Sequence, residues 1–355
     1  MTKILFESAS FMDSKNISGV GYYAKTLADE LSNRHSVRKT SGPFDNNVTL
    51  NKIYRKIASY APIFPLDINL KQSDLALFPN FASLPTVKAK KRAVVIHDLT
   101  YLKYPESVES KNLAYLRRVV PRSIANCDYV ITVSESVKQE IIEEFSVADR
   151  SIIVTPIPPR KEVIEGSRDN EIHNKYGIPT EKFLLFVGNL EPRKNVNFII
   201  DAYLNLPDDL KGKYSLILGG GTGWGSDATR QRVAELKNTT NIRHIGYIDD
   251  EDLSTVYSKA DIFLFASLYE GFGMPILESI ASGTPVISSS IPVFKEILDD
   301  SGLYTETPLG MSQQIASLCT REGSINNLLT KQSAVLEKYS WEKNIDHIDE
   351  IIQQA

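Results

Sequence analysis

The chain has 355 residues, of which 42% are hydrophobic and 24% charged, and it contains 19 glycines and 17 prolines. This composition is typical of a globular protein and excludes collagen-like and largely disordered chains, while the length favours two domains. No stretch approaches the roughly 20 apolar residues that span a bilayer. The two cysteines, Cys127 and Cys319, have no sulfur or histidine beside them at metal-ligand spacing, so we expect a reduced, cytoplasmic protein.

The net charge of −4 conceals an uneven distribution along the chain. Residues 1–165 carry 23 Lys and Arg against 18 Asp and Glu, whereas the remaining residues carry 17 against 26. An excess of positive charge in the first half favours contact with an anionic partner. A chance distribution of solvated charge explains the numbers equally well.

Short apolar runs alternate with amphipathic segments along the chain, a pattern that predicts parallel sheets covered by helices. The predicted strands of the first half are Lys3–Glu7, Leu75–Phe78, Ala93–His97, Tyr129–Val133 and Ile152–Thr155. Those of the second half are Phe183–Val187, Tyr214–Leu218, Ile242–Ile245, Ile262–Phe265 and Pro285–Ser288. The predicted helices include Val20–Asn33, Ser110–Ala125, Glu135–Phe145, Val196–Leu204 and Asp227–Asn238.

A proline-rich break at residues 156–159, which read Pro-Ile-Pro-Pro, separates the two α/β series, and a polar stretch continues to Asn174. Prolines remove ladder donors and disfavour a helix at the preceding residue, so this segment is the predicted linker. We therefore expect domains at 1–160 and 161–330, followed by a helical segment at 331–355. Two doubly wound domains would bind a ligand in a cleft at the carboxyl ends of their strands.

The clearest candidate site follows the predicted strand Ile262–Phe265, where residues 270–278 read Glu-Gly-Phe-Gly-Met-Pro-Ile-Leu-Glu. Proline suits the first turn of a helix, and glycine lets the backbone approach a ligand closely. Unpaired backbone amides at this helix start, up to Ile276, would then bind a phosphate or a sugar hydroxyl. The residues expected at this binding turn are Gly271, Phe272, Gly273 and Met274.

Two carboxylates flank this turn: Glu270 lies before the predicted helix and Glu278 lies inside it. A carboxylate within a cleft is well suited to accept hydrogen bonds from vicinal hydroxyls, such as those of a ribose. The alternative is a capped surface helix whose acidic residues interact with the helix dipole.

A basic pair follows the predicted strand Phe183–Val187 and its Gly188-Asn189 end. We expect Arg193 and Lys194 to project toward a leaving diphosphate, which needs positive charge, since the sequence has no evident carboxylate cage for magnesium. Arginine offers a planar fork to phosphates, and lysine offers a point charge. Such a pair, taken alone, is more often part of a solvated loop.

The first half contains two weaker candidates. Ser18 is expected to cap the following helix while Gly19 and Gly21 open its N-terminus to an anion, although a tight strand-to-helix turn has the same pattern. His97 is expected at the carboxyl end of a strand, where it could donate a hydrogen bond to a sugar hydroxyl. A lone histidine is more often structural.

Together these segments resemble the retaining glycosyltransferases of family 4, which have the GT-B fold of two Rossmann-like domains. The spacing of Glu270 and Glu278 is similar to the family's Glu-x7-Glu motif, and residues 187–195 resemble the Gly-Thr-Leu-Glu-Pro-Arg-Lys-Asn segment of bacterial mannosyltransferases. The glycine loop resembles Gly-Ile-Gly-Arg-Tyr, and the segment at His97 resembles a His-Asp pair of the family. Some members carry an arginine where this chain has Asn189, and the linker lacks the usual Pro-Asn-Gly turn.

The resemblance implies roles for these residues. Arg193 and Lys194 would hold the diphosphate of a nucleotide sugar, His97 and Glu270 would orient the hexose, and Glu278 would bind the ribose. The catalytic residues implied are His97, Arg193, Lys194 and Glu270. The donor-binding residues implied are Gly19, Gly21, Gly188, Asn189, Gly271, Phe272, Gly273, Met274 and Glu278.

The resemblance also implies the reaction: front-face transfer of a hexose with retention of configuration, without a metal ion and without a cofactor other than the nucleotide sugar. GDP-mannose is the expected donor, with UDP-glucose or another UDP-hexose as the alternative. The expected acceptor is a glycan or a lipid-linked glycan, and no nucleic-acid partner is expected. In this fold the last helix returns to the first domain.

Members of the family often act at the cytoplasmic face of a membrane, and the basic stretches Glu109–Asn126 and Asn51–Tyr60 would suit that surface. Ordinary amphipathic helices packed on a sheet are the alternative for both stretches. Two other classes of protein also remain open. One is a nucleotide-sugar epimerase of GT-B shape, and the other is a binding protein that has lost the chemistry.

Overall fold

The computed structural model describes residues 2–12, 18–42, 44, 47–60, 73–84, 89–165, 172–179 and 182–353. These residues divide into two compact units. The first unit contains the chain up to Ile157 together with the segment from Ser340 onward, and the second contains Pro158–Tyr339.

These limits differ from the predicted ones at 160 and 330 because side chains near those positions bond within the second unit. Arg160 donates to Glu278, and the side-chain amide of Gln332 pairs with the backbone of Val286.

The first unit is built on a parallel six-stranded sheet. Its strands are β1 Lys3–Glu7, β2 Ser36–Thr40, β3 Ser73–Phe78, β4 Ala89–Ile96, β5 Tyr129–Thr132 and β6 Ile152–Val154. They lie in the order β2-β1-β3-β4-β5-β6.

The second unit has a parallel six-stranded sheet of its own. Its strands are β7 Phe183–Val187, β8 Ser215–Gly219, β9 Ile242–Gly246, β10 Ile262–Phe265, β11 Val286–Ser289 and β12 Leu303–Thr305. They lie in the order β12-β11-β10-β7-β8-β9.

Helices connect the strands in both units. Those of the first unit before the linker are α1 Ala9–Met12, α2 Gly19–Arg34, α3 Val48–Tyr60, α4 Thr100–Lys103, α5 Ser110–Ala125 and α6 Glu135–Phe145. Those of the second unit are α7 Lys161–Glu165, α8 Ile172–Tyr176, α9 Val196–Leu204, α10 Asp208–Lys213, α11 Asp227–Leu236, α12 Leu253–Lys259, α13 Met274–Ala281, α14 Pro292–Leu298, α15 Pro308–Thr320 and α16 Ser324–Ser333. The last helix is α17 Trp341–Gln353, and short 3-10 turns lie at Pro105–Ser107, Asp149–Ser151, Pro192–Lys194, Asp299–Ser301 and Ala334–Lys338.

Every predicted strand is present, with differences only at the ends, and the predicted α/β class is confirmed. The central strands are apolar runs because a parallel sheet is covered by helices on both faces. Two edge strands, β2 and β12, were not predicted. The first reads Ser-Val-Arg-Lys-Thr and has no fully buried residue, and the second has only three residues, so neither carries the apolar signal of a central strand.

The predicted linker is wrong in extent, because helices α7 and α8 lie within it. Val163 of α7 and Ile172 of α8 are fully buried, and α7 packs against α12 and α13. One or two buried side chains per short helix are too few to show a helical period in a polar sequence. Residues 166–171 of the predicted linker lie outside the described residues.

The C-terminal helix α17 packs against α2 and β6 of the first unit. Its buried side chains include Trp341, Ile345, Ile348 and Ile351, whose spacing places them on one face. The side-chain amide of Asn344 donates to the carbonyl of Pro156 at 2.6 Å. Helix α17 therefore belongs to the same sheet-and-helix unit as β1.

Each sheet has a topological switch point. At this point two neighbouring strands are followed by strands that lie on opposite sides of the sheet. In the second unit this point lies between β7 and β10, which are neighbours in the sheet. In the first unit it lies between β1 and β3. Ligands of open α/β sheets bind at the carboxyl ends of the strands beside such a point.

Candidate functional site

The loops that follow β7 and β10 meet at the switch point of the second unit. The backbone amide of Leu268 donates to the carbonyl of Arg193 at 2.9 Å, which joins the two loops directly. The 3-10 turn Pro192–Lys194 ends at Asn195, whose φ of 52° is left-handed, and α9 starts at the next residue. This turn directs both basic side chains of the predicted pair toward the loop after β10.

Arg193 and Lys194 both bind Glu270. Lys194 Nζ lies 2.5 Å from Glu270 Oε1, and Arg193 Nη1 lies 2.7 Å from Glu270 Oε2. Ser267 Oγ also donates to Glu270 Oε1 at 2.7 Å, and Arg193 Nη1 donates to the carbonyl of Tyr269 at 2.7 Å. Two cations therefore face one carboxylate, and each oxygen of that carboxylate forms an ion pair with a different cation.

The charges of this cluster are largely buried. Burial alone would raise the pKa of Glu270, but the attraction of Lys194 and Arg193 and the hydrogen bonds from Lys194 and Ser267 outweigh it and lower the pKa to about 2. Burial lowers the pKa of Lys194, and Arg193 adds to this, while Glu270 opposes it. The 2.5 Å contact between Lys194 and Glu270, whose low pKa keeps it ionised, favours the charged form of the lysine. With the lysine charged, the three side chains carry a net charge of one positive unit.

The ammonium group of Lys194 lies over the aromatic ring of Phe265, with Nζ 5.1 Å from the ring centroid. A cation above a ring face is attracted to its electron density, which limits where the ammonium can move. The pair predicted from the sequence is therefore held in one arrangement together with Glu270.

The predicted binding turn leads into α13, which begins at Met274 and has Pro275 in its first turn, as expected. Gly273 has a φ of +152°, and a Cβ there would lie 3.0 Å from Ile297 and 3.1 Å from Phe294. The positive φ favours glycine, and the two side chains leave little room for a Cβ. The amide of Ile276 donates to the carbonyl of Gly273 at 2.9 Å, so the expectation that it is unpaired is wrong.

The Phe272 side chain is buried and packs edge-on against Tyr339, with ring centroids 5.7 Å apart. Gly271 is also buried, and Met274 is partly exposed. The ring of Phe272 therefore belongs to the core of the second unit and is not available to a ligand.

Glu278 lies apart from this cluster and binds Arg160. Arg160 Nε and Nη2 donate to Glu278 Oε1 at 2.5 Å and to Oε2 at 3.1 Å. Burial raises the pKa of Glu278, and the attraction of Arg160 opposes part of that rise. Both carboxylate oxygens accept from the guanidinium, an arrangement that favours the ionised form.

The loop after β7 lies against the loop after β8. The amide of Gly188 donates to the carbonyl of Gly219 at 2.9 Å, and the amide of Leu190 donates to that of Gly221 at 3.0 Å. Asn189 is exposed, and its side-chain amide donates to Glu191 Oε1 at 3.1 Å. Both predicted donor-binding residues of this loop thus lie at the carboxyl edge of the sheet.

Gly220→Ala is expected to lower the free energy of unfolding of the second unit by about 2 kcal/mol. Gly220 has a φ of +127°, and a Cβ there would lie 2.2 Å from the carbonyl oxygen of Gly188. Urea unfolding followed by circular dichroism measures the effect. The matched control is Gly212→Ala, where a Cβ meets nothing within 4 Å, and equal stability of the two variants would contradict the packing described.

His97 follows β4 of the first unit and is fully buried. Its Nε2 lies 2.8 Å from the carbonyl oxygen of Pro79, and its ring lies edge-on to Tyr23 at 5.0 Å and to Phe81 at 5.6 Å. Burial lowers the pKa of His97, so the ring is neutral at pH 7. Because a carbonyl only accepts, Nε2 carries the proton, and Nδ1 would accept from a sugar hydroxyl instead of donating to it.

The predicted N-cap of α2 is confirmed, since Ser18 Oγ accepts from the amide of Gly21 at 3.2 Å. The buried Gly21 amide is therefore already bonded, and it is the exposed Gly19 that lies at the accessible end of the helix. Residues 13–17 of the predicted loop lie outside the described residues.

The part of the chain that the structure describes contains no group of three or more His, Cys, Asp or Glu side chains that could hold a metal ion.

Three side chains of these clusters were not predicted from the sequence: Ser267, Arg160 and Asp250. Asp250 Oδ1 accepts from Arg160 Nη1 at 2.8 Å. Ser267 lies three residues before Glu270, so proximity in the sequence was an available signal. Arg160 lies 118 residues from Glu278, and no local pattern connects them.

Residues 168–317 match the family model described as Glycosyl transferases group 1. The chain is 32% identical over 230 residues to O-antigen chain mannosyltransferase B of Escherichia coli, covering 64% of this chain and 60% of that protein. It is 30% identical over 215 residues to O-antigen chain mannosyltransferase RfbU of Salmonella typhimurium, covering 61% of this chain and 56% of that protein. The second unit thus carries a glycosyl transferases group 1 domain, as the resemblance predicted, and the match spans less than two thirds of these relatives.

Solved structures are similar over the whole chain. HepE of Anabaena, in complex with UDP and glucose, has a TM-score of 0.74 at 16% identity, with 100% of both chains covered. Sucrose-phosphate synthase of Thermosynechococcus elongatus has a TM-score of 0.72 at 16% identity, covering 100% of this chain and 99% of that one. At such identity the likeness concerns the fold alone, and it confirms the predicted GT-B fold class.

Proposed function

We propose that this protein is a retaining, metal-independent glycosyltransferase that moves mannose from GDP-mannose to a glycan or lipid-linked glycan. The observation that carries the proposal is the buried cluster of Arg193 and Lys194 around Glu270, at the switch point of the group 1 domain. A net positive charge held by fixed side chains at the carboxyl ends of parallel strands is suited to a diphosphate.

The proposed reaction needs positive charge more than it needs a protein nucleophile. As the bond from the anomeric carbon to the phosphate oxygen breaks, negative charge develops on the diphosphate, and Arg193 and Lys194 stabilise it. The acceptor hydroxyl attacks from the same face, and its proton passes to the departing phosphate oxygen. Configuration is then retained, and the protein's contribution is to hold the two reactants and the charge in place.

The remaining predicted residues complete the proposed donor site. Glu270 orients the hexose while it holds the two cations, and Glu278 accepts from the ribose hydroxyls. His97 accepts from a hexose hydroxyl through Nδ1. The other donor contacts are proposed at the backbone of Gly19, Gly188, Asn189, Gly271, Phe272, Gly273 and Met274.

GDP-mannose is the proposed donor because the two relatives above are named mannosyltransferases. A UDP-hexose is the alternative donor.

Donor hydrolysis in the absence of acceptor tests this function. The protein is incubated with GDP-mannose, UDP-glucose, UDP-galactose and ADP-glucose in the presence of EDTA, and released nucleotide and free sugar are measured. We expect release of GDP and mannose, with the α-configuration seen first by NMR. Release of UDP would assign the alternative donor, and release of neither from any donor would contradict the proposal.

The same reactions separate the rival classes. An epimerase would convert the UDP-hexose into its epimer, so chromatography would show a new nucleotide sugar. A binding protein without chemistry would leave every donor intact while binding one of them. Either result would replace the transferase as the function of this site.

We also propose that the protein acts in the cytoplasm, at the inner face of the membrane, which it contacts through α3. Along α3 the exposed apolar residues Leu50, Ile53 and Ile57 recur at helical spacing, and residues 48–60 include three basic and no acidic residues. By contrast, Leu113 and Leu116 of α5 pack against the core of the first unit. No helix in the described ranges is long and apolar enough to cross a membrane.

Ile53→Glu combined with Ile57→Glu is expected to reduce pelleting with anionic vesicles at low salt by about tenfold, because acidic residues would enter the lipid interface. Sedimentation with phosphatidylglycerol vesicles measures the effect. Leu309→Glu, at an exposed leucine of the second unit, is the control. Equal pelleting of the double variant, or no pelleting of the unaltered protein, would contradict the membrane contact.

A further inference from the structure

Arg160 covers the carboxylate of Glu278, the residue proposed to bind the ribose. Nε and Nη2 of Arg160 bond to the two oxygens of that carboxylate, at 2.5 and 3.1 Å. The side chain of Glu278 is only 1% exposed, and that of Arg160 is 15% exposed. The carboxylate is therefore closed to a ligand while the guanidinium stays in this position.

Arg160 has a second carboxylate partner on its more exposed side. Its Nη1 donates at 2.8 Å to Asp250, which follows β9 and is 54% exposed. The helix that starts after Arg160, α7, packs against α12 and α13, so this segment lies directly beside Glu278. The guanidinium thus bonds to a buried and to an exposed carboxylate at once, and the bond to Asp250 does not involve Glu278.

We propose that Arg160 occupies the diol subsite of Glu278 and is displaced when the vicinal hydroxyls of a ribose bind. This inference rests on the proposed function, since it needs a nucleotide at this site. Binding exchanges two N–H bonds to Glu278 for two O–H bonds. The ribose hydroxyls therefore add little net affinity in the unaltered protein, because they must first remove Arg160.

A nucleotide without the diol provides the matched probe. GDP and 2′,3′-dideoxy-GDP carry the same base and phosphates, so the ratio of their dissociation constants reports only what the hydroxyls contribute. In the unaltered protein we expect this ratio to be near one. In Arg160→Met the hydroxyls meet Glu278 without a competitor, and we expect the ratio to favour GDP by about tenfold.

Titration calorimetry on the full chain measures these ratios of dissociation constants. The control is Arg230→Met, which removes another arginine of the second unit that forms an ion pair with an aspartate. Arg160→Lys keeps the charge but cannot bond to both oxygens, so we expect an intermediate ratio. It also tests the proposal should Arg160→Met fail to fold. Adding Glu278→Gln to Arg160→Met should return the ratio toward one, because the neutral amide is a weaker acceptor.

The possible results distinguish a failure of the proposed role of Arg160 from a failure of the proposed function. If the unaltered protein binds GDP but the preference for GDP over 2′,3′-dideoxy-GDP stays unchanged or falls in both Arg160 variants, the role of Arg160 is overturned and the function stands. An unaltered protein that binds none of GDP, UDP or ADP would overturn both.

Discussion

Lys194→Ala is expected to reduce donor turnover by about 10²-fold or more, the scale for losing one preorganised electrostatic group. The ammonium is fixed by the carboxylate of Glu270 at 2.5 Å and by the ring of Phe265. Alanine removes the charge that would stabilise the leaving diphosphate, and water entering the gap cannot replace it. Steady-state release of nucleotide from GDP-mannose measures the loss.

Two comparisons make the Lys194 result specific. Lys237→Ala removes an exposed lysine of the same unit and should leave turnover unchanged. Thermal unfolding should show that Lys194→Ala remains folded, because Glu270 retains Arg193 as a partner. Turnover within a few-fold of that of the unaltered protein would remove Lys194 from the proposed mechanism.

Glu270→Gln is expected to have the second large effect, on both turnover and stability. The substitution leaves two neighbouring buried cations without their carboxylate, which costs on the order of 3 kcal/mol in unfolding free energy. Turnover should fall by about 10²-fold, since Arg193 and Lys194 lose the group that positions them. Urea unfolding is followed by the fluorescence of Trp224, the second unit's tryptophan, in a Trp341→Phe background.

The pH dependence of the same unfolding measurement supplies an independent check. The pKa of Glu270 is lowered to about 2 from an ordinary value of 4.5, so the folded state favours the ionised form. The stability contributed by this group is fully present above about pH 4.5 and is lost as the pH falls toward 2. Glu270→Gln should lack that part of the acid dependence, whereas the exposed control Glu235→Gln should keep it.

An unchanged acid dependence together with near-normal turnover in Glu270→Gln would show that the carboxylate does not hold the cations as described.

The architecture could be predicted because each central strand is a continuous apolar run between amphipathic segments. The run Phe183–Val187 is buried along almost its whole length, and this is the signal that the sequence carries. The edge strand Ser36–Thr40 lacks it, because only one neighbour, β1, pairs with it and its side chains face water. The same applies to α7 and α8, which are too short to show a helical period.

The site could be predicted where its chemistry is local. Pro275, Gly273 and Glu270 lie within one loop, and their backbone requirements are visible in the sequence. The contact of Glu270 with the basic pair depends instead on the adjacency of β7 and β10 in the sheet. The pairing of Arg160 with Glu278 depends on how α7 packs on α13, a property of the folded chain that no spacing encodes.

Binding of GDP tests the central claim most directly: that Arg193 and Lys194 of the second unit hold a nucleoside diphosphate. Calorimetric titration of GDP is compared between the unaltered protein and the double variant Arg193→Met, Lys194→Met. We predict saturable one-to-one binding without added metal, with a dissociation constant raised at least about a hundredfold in the double variant, as for two lost charge-assisted contacts. Equal affinity in both proteins, or no binding of GDP or UDP by the unaltered protein, would contradict the account.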